Sequence, residues 1–286
     1  MTESTRSDPV TLHGRLPNPL ARAIASPRGA RVTAPLLVLL LWQVSAPLVG
    51  SRILPMPMDV AEEIVTLAIE GTIWSAFATS LTRLAIGLAL GFVAGGIIGL
   101  GLGVSPRAEA IAHDFIIVGL TFPYLIWGIL VSMWFGFGDI GPILVVFIAS
   151  LPYVVVNTAE GVRDVSSDLL DMARSYDVSR RRVIRHVVIP SLSPFFFAAL
   201  RYGLANGWKG LVLAEVFAAT SGAGWEIAGM RDIGNGAGVL AYALYFAIIS
   251  IVIEQLVFER LSARVFRWRQ PASNGARSGV QRNNAI

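Results

Sequence analysis

The residues best placed to do chemistry are ionisable groups lodged in apolar sequence: Arg83, Arg201, Lys209 and Glu215. Such a group costs about 2.5–3.5 kcal/mol at the centre of a membrane helix, so it usually faces protein or a water-filled path. Arg83 and Arg201 fall near the ends of apolar segments, where a long side chain reaches the interface by snorkelling. Lys209 and Glu215 sit deeper, and their six-residue spacing places them on different faces of a helix. Lys209 offers a positive charge to an anion in transit. Trp208 supplies an indole for packing or as a platform. Arg201, Trp208, Lys209 and Glu215 are therefore the candidate path-lining set.

Bond-breaking chemistry has no comparable footing. His13, His113 and His186 are scattered, and a chain without cysteine has neither thiolate metal ligands nor disulfides. No nucleophile lies in a recognisable pattern with a base. The string nearest to a phosphate-binding loop, GLANGWKG at 203–210, has the wrong glycine spacing and no hydroxyl residue after Lys209. No bound cofactor or metal is expected on this chain, and it reads as a non-enzyme.

Composition explains why the ionisable residues stand out. Of 286 residues, 54% are hydrophobic and 15% charged, against roughly 25% charged in a soluble domain. The net charge of +4 does not indicate nucleic acid, because the basic residues flank apolar segments instead of forming one patch. The partner implied is a lipid bilayer.

Segments near the length needed to span it fall at about 33–49, 73–104, 111–134, 143–156, 191–218 and 239–258, giving an all-α, six-span membrane domain over 33–269. Residues 1–32 and 270–286 read as disordered cytoplasmic tails. Between the first two spans, Val60, Ile64, Leu67 and Ala68 recur at helical spacing opposite Glu62, Glu63 and Glu70, the pattern of an amphipathic helix on the membrane surface. The second span carries Gly87, Gly91, Gly95, Gly99 and Gly103 at four-residue intervals, a smooth stripe that lets another helix approach closely. Arginines cluster in both tails, in the turn at Arg107 and in the polar stretch 157–190. With an even number of spans all of these fall on the cytoplasmic side.

The stretch 157–190 is the one long polar segment between apolar ones. Ser166 suits an N-cap, and Asp168 complements the first turn of the helix it would start. Leu169, Met172, Ala173 and Tyr176 then share one face, with Asp171, Arg174 and Ser175 largely opposite. So short a helix is marginal alone and implies a partner. A second helix starts at Ser179 with Arg180, Arg181 and Arg182 in its first turn, the wrong sign for the dipole unless an acidic surface docks there. Pro190 marks the entry to the next span.

Asp171-Met172-Ala173-Arg174-Ser175-Tyr176-Asp177, followed by Ile189-Pro190, resembles the cytoplasmic coupling loop of ABC-importer permeases. The family pattern there is Glu-Ala-Ala, three residues, Gly, and later a hydrophobic residue with Pro. The resemblance extends from about 54 to 268 through LPMP, Ser80-Leu81-Thr82-Arg83, the glycine ladder, WFGFGD and Ala214-Glu215, and looks most like the sulfonate, taurine and nitrate group. Asp171, Met172 and Asp177 depart from the family's Glu, first Ala and Gly. Asp is a tolerated second choice where φ is positive. The resemblance implies a type I importer fold and a separate cytoplasmic ABC ATPase that carries ATP and Mg. It also implies a periplasmic solute-binding protein, a second permease copy, and ATPase coupling through Leu169, Asp171, Met172, Ala173, Tyr176, Asp177, Arg180 and Pro190. The function implied is passage of a small, anionic solute across a bacterial inner membrane. The competing expectation from the residues alone is an ATP-independent secondary transporter or channel.

Overall fold

A computed structural model describes residues 27–50 and 53–259, so both expected tails lie outside the described residues except at 27–32. Ten helices follow in order: α1 (Pro27–Val49), α2 (Pro57–Glu70), α3 (Thr72–Val104), α4 (Pro106–Thr121), α5 (Tyr124–Phe135), α6 (Ile140–Arg163), α7 (Ser167–Ser175), α8 (Arg180–Ala218), α9 (Ala223–Asp232) and α10 (Gly236–Ile253). There is no strand among the described residues. Four helices are long and apolar enough to cross a membrane: α3, α6, α8 and α10. The α4–α5 pair makes a fifth span if counted as one, and Thr33–Val49 is a shorter apolar helix.

Three sequence boundaries are corrected by the structure. The first helix begins at Pro27, inside the stretch assigned to the tail. The segment 111–134 is not one straight span, because α4 and α5 meet at a bend of 95°. Pro123 has no backbone N–H and disfavours helix at Phe122, whose φ of −68° and ψ of 130° are extended. The fourth span continues through 157–163, because Asn157 bonds to the carbonyl of Tyr153 and Thr158 is buried against α3.

The glycine ladder sets the centre of the bundle. A Cβ on Gly87, Gly95, Gly99 or Gly103 would stand 2.5–2.8 Å from Val146, Val154, Thr158 or Val162, and one on Gly91 2.2 Å from Ser150 Oγ. These α6 partners repeat at the same four-residue interval, so α3 and α6 run in register with backbone close to side chain. The same row of α6, with Ala149 beside it, also meets a second run of small residues. Gly203, Gly207 and Gly210 of α8 lie within van der Waals reach of Ser150, Val146 and Ala149. Val146 and Ser150 of α6 thus sit in the wedge between the glycine faces of α3 and α8.

The amphipathic α2 does not offer its apolar face to lipid. Val60 and Leu67 are buried with Ile73 and Phe77 of α3 and Ala241, Tyr242 and Phe246 of α10. Gly71, at φ +81°, makes the one-residue turn from α2 into α3, a conformation glycine adopts without cost. Asn235 Nδ2 donates to Glu63 Oε1 at 3.0 Å, fixing the polar edge of α2 to the start of α10.

Candidate functional site: a coupling helix, a lateral groove and a buried ionic cluster

At one end of the bundle α7 links α6 to α8. Ser166 occupies its N-cap position but makes no side-chain cap bond, leaving Asp168 as the first-turn carboxylate. The C-terminus is closed by Asp177, at φ +50° the one non-glycine residue with positive φ among those described. Val178 N–H donates to the Ala173 carbonyl at 2.9 Å and Asp177 N–H to that of Arg174 at 3.1 Å. This is the paired bonding of a Schellman cap, in which the left-handed position ordinarily takes glycine.

Ala173 is buried, while Leu169, Met172 and Tyr176 remain exposed, Met172 at 54% and Tyr176 at 78%. With Val178, Arg182, Val183, His186 and Val187 they line a groove of about 470 Å³ between α7 and the start of α8. Asp171 lies outside it, pairing with Arg174 at 3.1 Å on the exposed side. Arg180, Arg181 and Arg182 are all exposed at the N-terminus of α8. Pro190 does not begin a new helix. Helix α8 continues through it by a π turn at Ile184–Val188, with Ile189 N–H reaching the Ile184 carbonyl, which accommodates the donor that proline lacks.

The four residues read as path-lining are separated by the structure. Arg201, Trp208 and Lys209 share a lateral groove of about 500 Å³ between α8 and α10, with Ser250, Glu254 and Gln255 on the far wall. Arg201 pairs with Glu254, and Trp208 packs edge-on against Phe246 at 5.1 Å. Glu215 is not in that groove. It is completely buried near the other end of α8.

Glu215 belongs to an ionic cluster that sequence spacing could not reveal. Its Oε1 lies 2.9 Å from Arg83 Nη1, and Ser80 Oγ donates to the carboxylate at 2.7 Å. Gly224 N–H donates to Oε2 at 2.9 Å, and Ala223 N–H donates to Ser80 Oγ at 2.9 Å. Arg83 is 2% exposed, so it does not snorkel. Its Nη1 donates to the Ser221 carbonyl at 2.6 Å and its Nη2 to Ser221 Oγ at 2.7 Å. Nε and Nη2 both donate to Asp139 Oδ1, at 2.9 and 2.5 Å. A buried ion pair survives only when the remaining donors and acceptors are met, and here each is. Glycine makes the room. A Cβ on Gly222, itself at φ +101°, would lie 2.4 Å from Glu215 Oε1, and one on Gly224 2.6 Å from Glu215 Cβ.

A bundle of long apolar helices packed on glycine, with a short exposed helix at one end, is the build of a multi-pass membrane protein. Residues 87–267 match the family described as binding-protein-dependent transport system inner membrane component, and the chain belongs to it. It falls with the ABC-importer permeases of the sulfonate, taurine and nitrate group, multi-pass proteins of the inner membrane. It is 31% identical over 256 residues to the taurine transport system permease protein TauC of Escherichia coli, covering 87% of this chain and 92% of that one. It is 28% identical over 265 residues to the putative aliphatic sulfonates transport permease protein SsuC of Bacillus subtilis, covering 90% and 96%. To the nitrate import permease protein NrtB of Synechococcus elongatus it is 28% identical over 242 residues, covering 77% and 84%.

Proposed function

We propose that this chain forms half of the translocation path of an ATP-driven importer for a small anionic solute of the sulfonate, taurine or nitrate kind. The relatives' names supply the solute class, and the cationic groove holding Lys209 and Arg201 is in keeping with it. A second copy completes the path. Charged side chains exposed at membrane depth require protein or water beside them, not lipid.

The observation that carries the reading is the exposed apolar face of α7 joined to an unbroken rod. Helix α8 spans 39 residues, about 58 Å at 1.5 Å per residue. Its first turn adjoins the α7 groove, and its far end holds Glu215. A cytoplasmic ATPase seated on Leu169, Met172 and Tyr176 moves α8 as a rigid body, the way packed helices transmit domain motion. ATP and Mg belong to that partner. The α7 end is cytoplasmic, both termini lie on that side, and a solute-binding protein docks at the opposite end.

Co-purification tests this directly. The ATPase subunit encoded with this permease is retained by the wild-type chain and released by Met172→Asp with Tyr176→Asp. Equal retention by the variant overturns the assignment of α7. An ATP-independent transporter is the second reading, and it requires uptake by the permease without any ATPase.

A further inference from the structure

The two carboxylates on Arg83 are not equivalent. Glu215 is wholly buried, whereas the Asp139 side chain is 72% exposed. Arg83 places both Nε and Nη2 on Asp139 Oδ1, so Oδ2 takes no part in the pairing. Asp139 holds the N-cap position of α6 but makes no cap bond with its side chain. Its carboxylate therefore serves Arg83 and whatever approaches from water.

Charge balance gives the same asymmetry. Arg83 with Glu215 is neutral, and Asp139 makes the trio net negative. If Asp139 leaves, Arg83 keeps Glu215, the Ser221 carbonyl and Ser221 Oγ, so the buried charge stays compensated. If Glu215 leaves, nothing buried replaces it. The turn that carries Asp139 is built to shift. Gly136 and Gly138 have φ of +74° and +152°, and neither has a neighbour within 4 Å of a would-be Cβ. A single backbone bond, Gly138 N–H to the Ala218 carbonyl at 3.0 Å, holds the turn to the end of α8.

We propose that Asp139 is a docking point for a basic side chain of the solute-binding protein, which takes the carboxylate over from Arg83 and releases the 136–139 turn from α8. The buried Arg83–Glu215 pair stays closed throughout and keeps α3 and α8 one body. The exposed end of the molecule fits a cationic partner. Asp59, Glu62, Glu63, Glu70, Asp139, Glu226 and Asp232 there are acids, and Arg231 is already paired with Asp232 at 2.9 Å. This inference rests on the importer reading above.

The test titrates the cognate binding protein into the reconstituted permease–ATPase complex and follows ATP hydrolysis. Asp139→Asn raises the half-maximal binding-protein concentration about 5-fold or more, within the usual range of coupling between sites, and flattens its dependence on ionic strength. Asp139→Glu restores both. An unchanged midpoint and salt slope in Asp139→Asn overturns the docking point. The chain has no cysteine, so spin labels at Phe137→Cys and Thr220→Cys, attached to the permease before assembly, report the turn without background from its other residues. Binding protein lengthens that distance, and an unchanged distance overturns the release. Wild-type complex that ignores binding protein altogether would contradict the importer reading itself, an outcome distinct from either result.

Discussion

Arg83 and Glu215 are separated by 132 residues in sequence, yet Nη1 and Oε1 meet at 2.9 Å with both side chains buried. Their meeting joins the third and eighth tenths of the chain at a point where both side chains are buried. Removing Arg83 leaves the buried Glu215 carboxylate uncompensated, which costs about 3–5 kcal/mol, and removing Glu215 leaves Arg83 with only the exposed Asp139 as counter-charge. Arg83→Met and Glu215→Leu should each lower the Tm of the detergent-solubilised protein sharply. The double variant should lose less than either alone, because an apolar replacement of both partners is close to neutral. Additive losses in the double-mutant cycle would mean that the two do not act as a pair.

The glycine ladder carries its own control. Gly95→Ala and Gly99→Ala push a methyl to within 2.8 Å of Val154 and 2.6 Å of Thr158, whereas Gly96 and Gly101 of the same helix have open space. Overpacking costs about 1–3 kcal/mol. We expect Gly95→Ala and Gly99→Ala to lower Tm, and Gly96→Ala to leave it unchanged or raise it, since alanine also favours helix. Equal effects at all three positions would show that the α3–α6 register is not what the glycines serve.

Asp177 replaces the residue that a left-handed cap favours. Asp177→Gly should keep the α7 turn and retain ATPase association, because glycine adopts that backbone freely. Asp177→Val should lose association, since a β-branched residue is a strong outlier there. Retention by Asp177→Val, measured by co-purification, would mean that the turn's geometry is irrelevant to docking.

Glu226, on α9 outside the candidate spans, is held above the usual carboxylate range by burial. A raised folded value means that ionisation is penalised in the folded state. The penalty is absent below the unfolded value of about 4.3, grows as pH rises through the folded value, and then stays constant. Glu226→Gln should therefore raise Tm at pH 7 to 8 and converge with wild type toward pH 4. A gap that widened on acidification would have the wrong sign.

Lys209 is one of two exposed cations on the α8 side of the lateral groove, the other being Arg201, which is paired with Glu254. Lys209→Met should reduce uptake of anionic solute at least about 10-fold, the scale of a lost charge contact of about 1.4 kcal/mol, while leaving ATPase assembly intact. Unchanged anion uptake would remove Lys209 from the path.

The sequence was most legible where local pattern and local structure coincide. The five-glycine stripe announces a close helix neighbour, and the face shared by Leu169, Met172, Ala173 and Tyr176 is visible from spacing alone. The second glycine run, Gly203, Gly207 and Gly210, was missed because its spacing is less regular. The break at Pro123 was read through as continuous helix, since hydropathy counts apolar residues and is blind to a missing donor. The cluster of Arg83, Glu215, Asp139 and Ser221 was out of reach. Its members come from four separate elements; Arg83, Asp139 and Glu215 each fall in a stretch that carries the family resemblance, but no spacing in the sequence says that they meet.

The measurement that tests the central claim most directly is solute uptake into proteoliposomes containing this permease with its ATPase, with the solute-binding protein supplied outside. Wild type would be set beside the Met172→Asp and Tyr176→Asp double variant. We expect uptake by wild type only with ATP inside the compartment that the α7 end faces, and loss of both uptake and ATPase association in the variant. Uptake that persists in the variant, or that proceeds with no ATPase present, would contradict transport coupled through α7.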